Sequence, residues 1–225
     1  GSGNSGSGGE VVLSAGTTSA TGRTGGRVQI WSGASNDFGT GSIAIQTPAT
    51  AVSSTGLSGM VVISTGLAKG GNSGGFFIGS GTAAGGRGGL VYVTSGDGTS
   101  GIGGEMLLSA GSTSGSGTTG GRVQLLTGAS ASESSGDMTL ATGNGADFSG
   151  KMDLITGTGG AGNSGIITLS TSTATTGRAG SIYVTSGSGN TGSGGEVVLS
   201  AGATTTGGGL AGGRVQIWSG TSAVT

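Results

Sequence analysis

The chain has no cysteine and no histidine among its 225 residues, one proline, and few charged (8%) or aromatic (4%) side chains. Disulfide bonds and thiolate or imidazole metal sites are therefore excluded, and two of the commonest catalytic side chains are missing. Eight Lys and Arg residues and a net charge of −1 provide no basic stripe for a nucleic acid. No apolar run approaches the ~20 residues of a membrane-spanning helix. We therefore expect no enzyme activity, no cofactor, no nucleic-acid partner and no membrane span.

Glycine, in contrast, is abundant, with 59 residues, and it recurs at fixed places in a repeated motif. The segment GGEVVLSAG occurs at residues 8–16 and again at 194–202, and GGEMLLSAG occurs at 103–111. Counting back from the last residue of each copy (position 0), glycine stands at −7, apolar residues at −5 and −3, and Ala, Ser or Thr at −1. Fourteen copies fit this template. They end at residues 16, 33, 48, 66, 81, 96, 111, 128, 143, 157, 172, 187, 202 and 220.

The spacing of the copies predicts the fold. Successive copies end 14 to 18 residues apart, most often 15. Apolar residues alternate with period 2 within a copy, and the regular glycines disfavour helix. We predict an all-β fold over residues 1–225: a narrow single-chain β-solenoid of about 14 coils, mostly 15 residues per coil, with parallel strands. The −5 and −3 side chains should point inward, and the −7 glycine should either need a positive φ or leave no room for a Cβ.

A longer period of six coils is superimposed on the single coil. Copies 1, 7 and 13 carry Glu at −6, and the copy that follows each of them carries Arg there. In a stack these charges lie side by side, which predicts inter-coil ion pairs that fix the register. The pairs are Glu10 with Arg27, Glu105 with Arg122, and Glu196 with Arg214. The chain starts and ends within the pattern, so we expect a segment of a longer repeat protein.

The outward positions −4 and −2 carry more apolar surface than a solvated strand face normally does. We predict an interaction face there, with three alternatives for what covers it: another layer of this chain, a neighbouring molecule, or a ligand such as a polysaccharide stacked on Trp rings. The predicted face consists of Trp31, Phe77, Tyr92, Leu126, Ile155, Tyr183 and Trp218.

Two other groups of residues in the chain suggest alternative sites. Glu133, Asp137, Asp147 and Asp153 form an acidic group of the kind that polysaccharide-cleaving β-helices use, but no second group accompanies it. Threonine rows could match an ice lattice, but Thr-x-Thr does not recur in every copy. We therefore do not expect the acidic group to be an enzyme centre. Ice remains only an alternative ligand of the solenoid.

The run GGxVxLxxG with Ser, Thr and Gly spacers resembles the tandem repeats of secreted and cell-surface proteins of microalgae, diatoms among them. It resembles the β-solenoid shafts of bacterial adhesins and fibres more loosely. The resemblance implies an extracellular or cell-surface structural role. We therefore expect a fibre-forming protein whose copies associate laterally and end to end, with an adhesin-like shaft that binds polysaccharide or ice as the alternative.

Overall fold

The structure, a computed structural model, describes residues 8–50, 57–205 and 211–221. These residues contain no helix and no β-strand, and their backbone is irregular, with bends and with turns at residues 21–22 and 116–117. The predicted all-β solenoid with parallel strands is therefore wrong, at least for the described part of the chain.

The apolar positions do not form a core either. No hydrophobic side chain of the described residues is buried. The predicted inward column of −5 and −3 side chains is therefore not present as a buried column. The predicted alternation with period 2 is nevertheless present as a difference in exposure. From the second copy onward the −5 side chains are 46% to 58% exposed, whereas the large apolar side chains at −4 are 71% to 93% exposed.

The first and last copies show what covers the −5 and −3 positions. Val11, at −5 of the first copy, is 88% exposed, against at most 58% in every later copy. Ile217, at −3 of the last copy, is 90% exposed, whereas the other −3 side chains are 61% to 75% exposed. Each copy thus shields the −5 side chain of the copy after it and, to a smaller extent, the −3 side chain of the copy before it.

Between many successive copies, a hydrogen bond closes the spacer. We call the place where position 0 of one copy meets the −7 glycine of the next copy the junction. The N–H of the −7 glycine donates to the carbonyl at position 0 of the preceding copy over 2.8 to 3.0 Å. The two residues are only 8 to 11 positions apart, so the spacer becomes a closed loop. The bonds run from Gly26 to Gly16, Gly41 to Gly33, Gly104 to Gly96, Gly121 to Gly111, Gly136 to Gly128, Gly195 to Gly187 and Gly213 to Gly202.

The small residue at −1 contributes a second bond at some junctions. Its hydroxyl donates to the carbonyl of the following −7 glycine at Ser80 (2.7 Å), Ser186 (2.9 Å) and Thr171 (3.1 Å), and in the same way at Thr47 (3.2 Å). Three of these junctions carry no backbone bond among those found in the described residues, and one of the three has Pro48 at position 0. The −1 hydroxyl therefore closes junctions where the amide bond is absent, and it reinforces the junction at Ser186.

The same contact accounts for glycine at many of the −7 positions. Among the described residues a positive φ occurs only at Gly22, Gly117 and Gly177, none of which is a −7 glycine. A Cβ on Gly26 would instead lie 3.1 Å from the Cβ of Ala15, and one on Gly89 would lie 2.9 Å from the Cβ of Ser80. Of the two predicted reasons for glycine, lack of room for a Cβ is the correct one at these positions.

The interiors of the spacers are closed locally as well, in two ways that depend on the residue at +2. In several spacers with Ser or Thr at +2, the hydroxyl accepts an N–H from two or three residues further on, as Ser130 does from Glu133 over 2.9 Å. Where the residue at +2 is glycine, as at Gly98, a Cβ would meet the Gly101 carbonyl at 2.5 Å. Gly159 and Gly189 are pinched in the same way. These spacers therefore fold back on themselves within their own residues.

This local closure is the physical reason why the solenoid does not form. A solenoid requires each copy to bond to the equivalent positions of the copy one coil away. Here the bonds run from the end of one copy to the start of the next, and one backbone bond at a junction does not make a ladder. The repeat length of 15 residues thus reflects one motif plus one closed loop.

The chain divides into two compact units, Gly1–Ser109 and Ala110–Thr225. The first unit contains six copies and the greater part of the seventh, and the second contains the remainder. The part of the chain that the structure describes has no helix that is long and apolar enough to cross a membrane.

Candidate functional site

The predicted interaction face is exposed throughout, and we call its seven residues the outward set. Their side chains range from 78% exposed at Leu126 to 93% exposed at Phe77. All of them lie in copies of the motif rather than in spacers, at position −4 or −2. The outward set consists of Trp31, Phe77, Tyr92, Leu126, Ile155, Tyr183 and Trp218.

The two tryptophans of the chain lie in identical sequence segments. Each occupies −2 of the segment GGRVQIWSG, at residues 25–33 and 212–220. Trp31 is 80% exposed and Trp218 is 81% exposed. Each half of the chain therefore presents one indole ring that is accessible to a neighbouring molecule.

The two tyrosines are paired in the same manner. Tyr92 and Tyr183 both stand at −4 of a copy that reads Tyr-Val-Thr-Ser-Gly to its end, and both rings are mostly exposed. No hydrogen bond of either phenol occurs among the described residues, although many Ser and Thr hydroxyls there are bonded. The phenol groups are therefore free to meet a partner.

The predicted ion pairs are not closed in the structure. All six of their side chains lie in the described residues, where the ion pair within 4 Å joins Lys151 and Asp153 of one copy. Lys151 Nζ lies 2.7 Å from Asp153 Oδ2, with the two side chains 80% and 46% exposed. An exposed pair of this kind contributes little to stability. No ion pair within 4 Å joins the six predicted charges in the described residues, namely Glu10, Arg27, Glu105, Arg122, Glu196 and Arg214.

The acidic residues do not gather into a metal site. Glu133, Asp137, Asp147 and Asp153 all belong to the part of the chain that the structure describes, and no three acidic groups there lie close enough to hold a metal ion. Asp153 is paired with Lys151, and Glu133 lies in a spacer loop closed by Ser130.

The sequence-based prediction did not identify two kinds of exposed apolar residue. The −5 and −3 residues were expected inside the molecule, yet they are half to three-quarters exposed in most copies. Several spacers also carry large apolar side chains that are almost fully exposed, and their signal was an apolar residue standing alone among Gly and Ser. These spacer residues are Phe38, Leu57, Leu67, Ile102 and Phe148.

Comparison of the chain with protein-family models, with curated proteins and with solved structures gives no match.

Proposed function

We propose that the protein is a structural, non-enzymatic repeat protein that builds an extracellular fibre or filament by association of its own copies. One observation carries the proposal. A motif with at least two large apolar side chains is repeated fourteen times, and no hydrophobic side chain of the described residues is buried. Soluble monomers rarely leave apolar surface of this extent uncovered, and large exposed patches are typical of interaction sites.

The free energy available from covering these side chains is large. Fully burying one Val, Leu, Ile or Phe side chain contributes about 1.5 to 3 kcal/mol, and association costs on the order of 4 to 15 kcal/mol in lost freedom. About ten side chains covered at one interface would therefore offset that cost. Fourteen copies offer several times that number, which favours contacts repeated along the chain over a single small interface.

Three features favour a second copy of this chain as the partner. The −5 and −3 side chains are less exposed where a neighbouring copy is present than at Val11 and Ile217, which supports packing of the motif against itself. Identical segments recur in both halves of the chain and allow two molecules to meet in more than one register. A net charge of −1 over 225 residues provides almost no repulsion between molecules.

The location is proposed on composition and resemblance. The Gly, Ser and Thr spacers and the GGxVxLxxG runs are similar to those of secreted and cell-surface repeat proteins. A fibre at the cell surface would expose its hydroxyl-rich spacers to water while the apolar positions are covered by neighbouring molecules.

A second function is favoured by the two exposed tryptophans. Trp31 and Trp218 present flat apolar rings from identical segments, and aromatic rings of this kind stack on the apolar faces of sugars. In this alternative the chain is an adhesin-like binder of polysaccharide or ice. Double replacement of the two tryptophans by Ser would then abolish retention on cellulose or chitin, or the shaping of ice crystals, and leave self-association unchanged.

The test of self-association compares two phenylalanines with almost the same exposure. Phe77 belongs to the outward set and is 93% exposed, whereas Phe148 lies in a spacer and is 91% exposed. Phe77→Ser and Phe148→Ser remove the same apolar area. Analytical ultracentrifugation over a concentration series, with electron microscopy of negatively stained samples, measures the assembly of each variant.

We expect filaments or large oligomers of the unmodified chain, an assembly threshold raised several-fold by Phe77→Ser, and little change with Phe148→Ser. A chain that stays monomeric at every concentration would contradict the proposal. Equal effects of the two replacements would show that association is unspecific, and that the outward set is not the interface.

A further inference from the structure

We propose that Tyr92 and Tyr183 are sites of oxidative coupling, at which neighbouring molecules of the fibre become covalently joined through a dityrosine bond. The inference rests on the proposed self-association, because coupling requires two phenol rings to be held side by side. It assigns to the two tyrosines a role in covalent cross-linking that self-association alone does not require.

The first support is the placement of the two rings. Tyr92 is 79% exposed and Tyr183 is 85% exposed, and each stands at −4 of its copy, within the outward set. Smaller side chains flank each of them, Val91 and Val93 in one copy and Ile182 and Val184 in the other. The ring carbon next to the phenol oxygen is therefore accessible on the side that faces a neighbouring molecule.

The second support is the identity of the two segments. Both tyrosines begin the sequence Tyr-Val-Thr-Ser-Gly, six copies apart, so a Tyr92 segment and a Tyr183 segment present the same surface. When two molecules associate through equivalent segments, either tyrosine of one molecule meets a tyrosine of the other. No further tyrosine occurs in the chain, and no cysteine is present to form a disulfide cross-link.

The chemistry needs an oxidant, which we take to be hydrogen peroxide with a haem peroxidase. Each phenol loses one electron and one proton, and the two phenoxyl radicals join through the carbons next to their oxygens. The hydrogens on these two carbons then move to the oxygens and restore both aromatic rings. One peroxide accepts the two electrons and two protons in total and becomes two waters, so that the step balances.

Two tyrosines in one chain give the coupling a definite valency. A molecule with two coupling sites joins to two others and yields a ladder of multimers. A molecule with one site yields dimers and nothing larger. Assembled neighbours hold their rings at an effective concentration of about 1 mM, so at about 10 μM protein coupling should be on the order of 100-fold faster than in a free tyrosine peptide at the same concentration.

The experiment treats the full chain and the variants Tyr92→Phe, Tyr183→Phe and the double variant with peroxidase and hydrogen peroxide at micromolar concentration. Denaturing electrophoresis measures the covalent species, and blue dityrosine fluorescence identifies the bond. We expect a ladder for the unmodified chain, dimers only for each single variant, and monomers without fluorescence for the double variant. Phe77→Ser, which retains both tyrosines, should slow the coupling about tenfold or more by lowering the assembled fraction.

The alternative outcomes are distinct. Fluorescent monomers without a ladder would mean that Tyr92 couples to Tyr183 within one molecule, which overturns the proposal. Coupling no faster than that of the free peptide would overturn it as well, since random collision then suffices. If ultracentrifugation shows filaments and the filaments do not couple, the cross-link fails while the proposed function stands. If no filaments form and no coupling is seen, both fail.

Discussion

The side chain of Ser186 packs directly against the backbone of Gly195. The Ser186 hydroxyl donates to the Gly195 carbonyl over 2.9 Å, and a Cβ on Gly195 would lie 3.0 Å from the Cβ of Ser186. The Gly195 N–H donates to Gly187, again over 2.9 Å. This junction is thus closed by two hydrogen bonds, and it offers the most sensitive position for tests of the repeat.

Gly195→Ala should open that junction. The added methyl group would have to displace Ser186, and the 195 amide would lose its bond to the Gly187 carbonyl, which is worth about 1 kcal/mol. We expect the amide of residue 195 to exchange with solvent about fivefold faster, relative to the same residue in a short peptide. Hydrogen exchange followed by nuclear magnetic resonance measures this change.

The control is at the other end of the same bond. A Cβ on Gly187 meets nothing within 4 Å, so Gly187→Ala should leave the exchange at residue 195 unchanged. Position 0 already accepts other residues in this chain, namely Pro48 and Ser172. Equal acceleration by the two replacements would show that loss of glycine flexibility, and not crowding, is responsible.

Removing the hydroxyl of Ser186 tests the second bond of the junction. Ser186→Ala should weaken closure by about 0.5 to 1 kcal/mol, whereas Ser186→Thr should preserve it, because Thr171 makes the same bond at its own junction. Exchange at the Gly195 amide is again the measurement. Ser188→Ala, in the same spacer, removes a hydroxyl that makes no bond among those found in the structure, and it should have no effect.

Two adjacent glycines provide a test of the pinched spacers. A Cβ on Gly159 would meet the carbonyl of Gly162 at 2.5 Å, but a Cβ on Gly160 meets nothing within 4 Å. Gly159→Ala should therefore force the spacer into another conformation and shift the amide resonances of residues 157–165. Gly160→Ala should shift only its immediate neighbours. Similar shifts in both variants would contradict the pinched geometry.

The response of assembly to solutes should identify the force that drives it. If apolar side chains are covered, sulfate should lower the concentration at which the chain assembles and urea should raise it. Sodium chloride should have little effect, because the net charge is −1 and the charges at −6 are unpaired with one another. Turbidity and sedimentation measure the threshold. Dissociation of the assembly by moderate sodium chloride would indicate that ion pairs between molecules, and not covered apolar side chains, drive assembly.

The sequence predicted the local rules of this chain and misjudged their consequence. Lack of room for a Cβ was one of the two predicted reasons for glycine at −7, and Gly89 against Ser80 shows that crowding directly. The alternation of −5 and −4 also appears, as a difference in exposure. The spacing of the copies could not distinguish between two kinds of spacer: one that carries the chain to the next coil of a stack, and one that closes on itself. Hydroxyls such as that of Ser130 decide in favour of closure, and their bonds depend on backbone angles rather than on repeat length.

The outward set was likewise predicted only in part. The period-2 pattern predicted exposure at Trp31 and Phe77, but all other large apolar side chains of the described residues are exposed as well, so exposure alone does not distinguish the set. Exposure at Val28 or Ile30 did not follow, because the prediction assumed that aliphatic residues facing one side must be enclosed by the same chain. A pair of aliphatic residues in each copy is too small a group to enclose itself when the intervening spacers contain mainly Gly, Ser and Thr.

Closure within each spacer also bears on how such a gene can change. The loop between Gly187 and Gly195 is completed by atoms that belong to nine consecutive residues and their immediate neighbour Ser186, with nothing borrowed from a distant copy. Unequal recombination that inserts or removes one motif with its spacer would leave every other loop intact. The length of the protein can therefore grow or shrink in whole units by a single genetic event, as the identical segments at residues 8–16 and 194–202 already suggest.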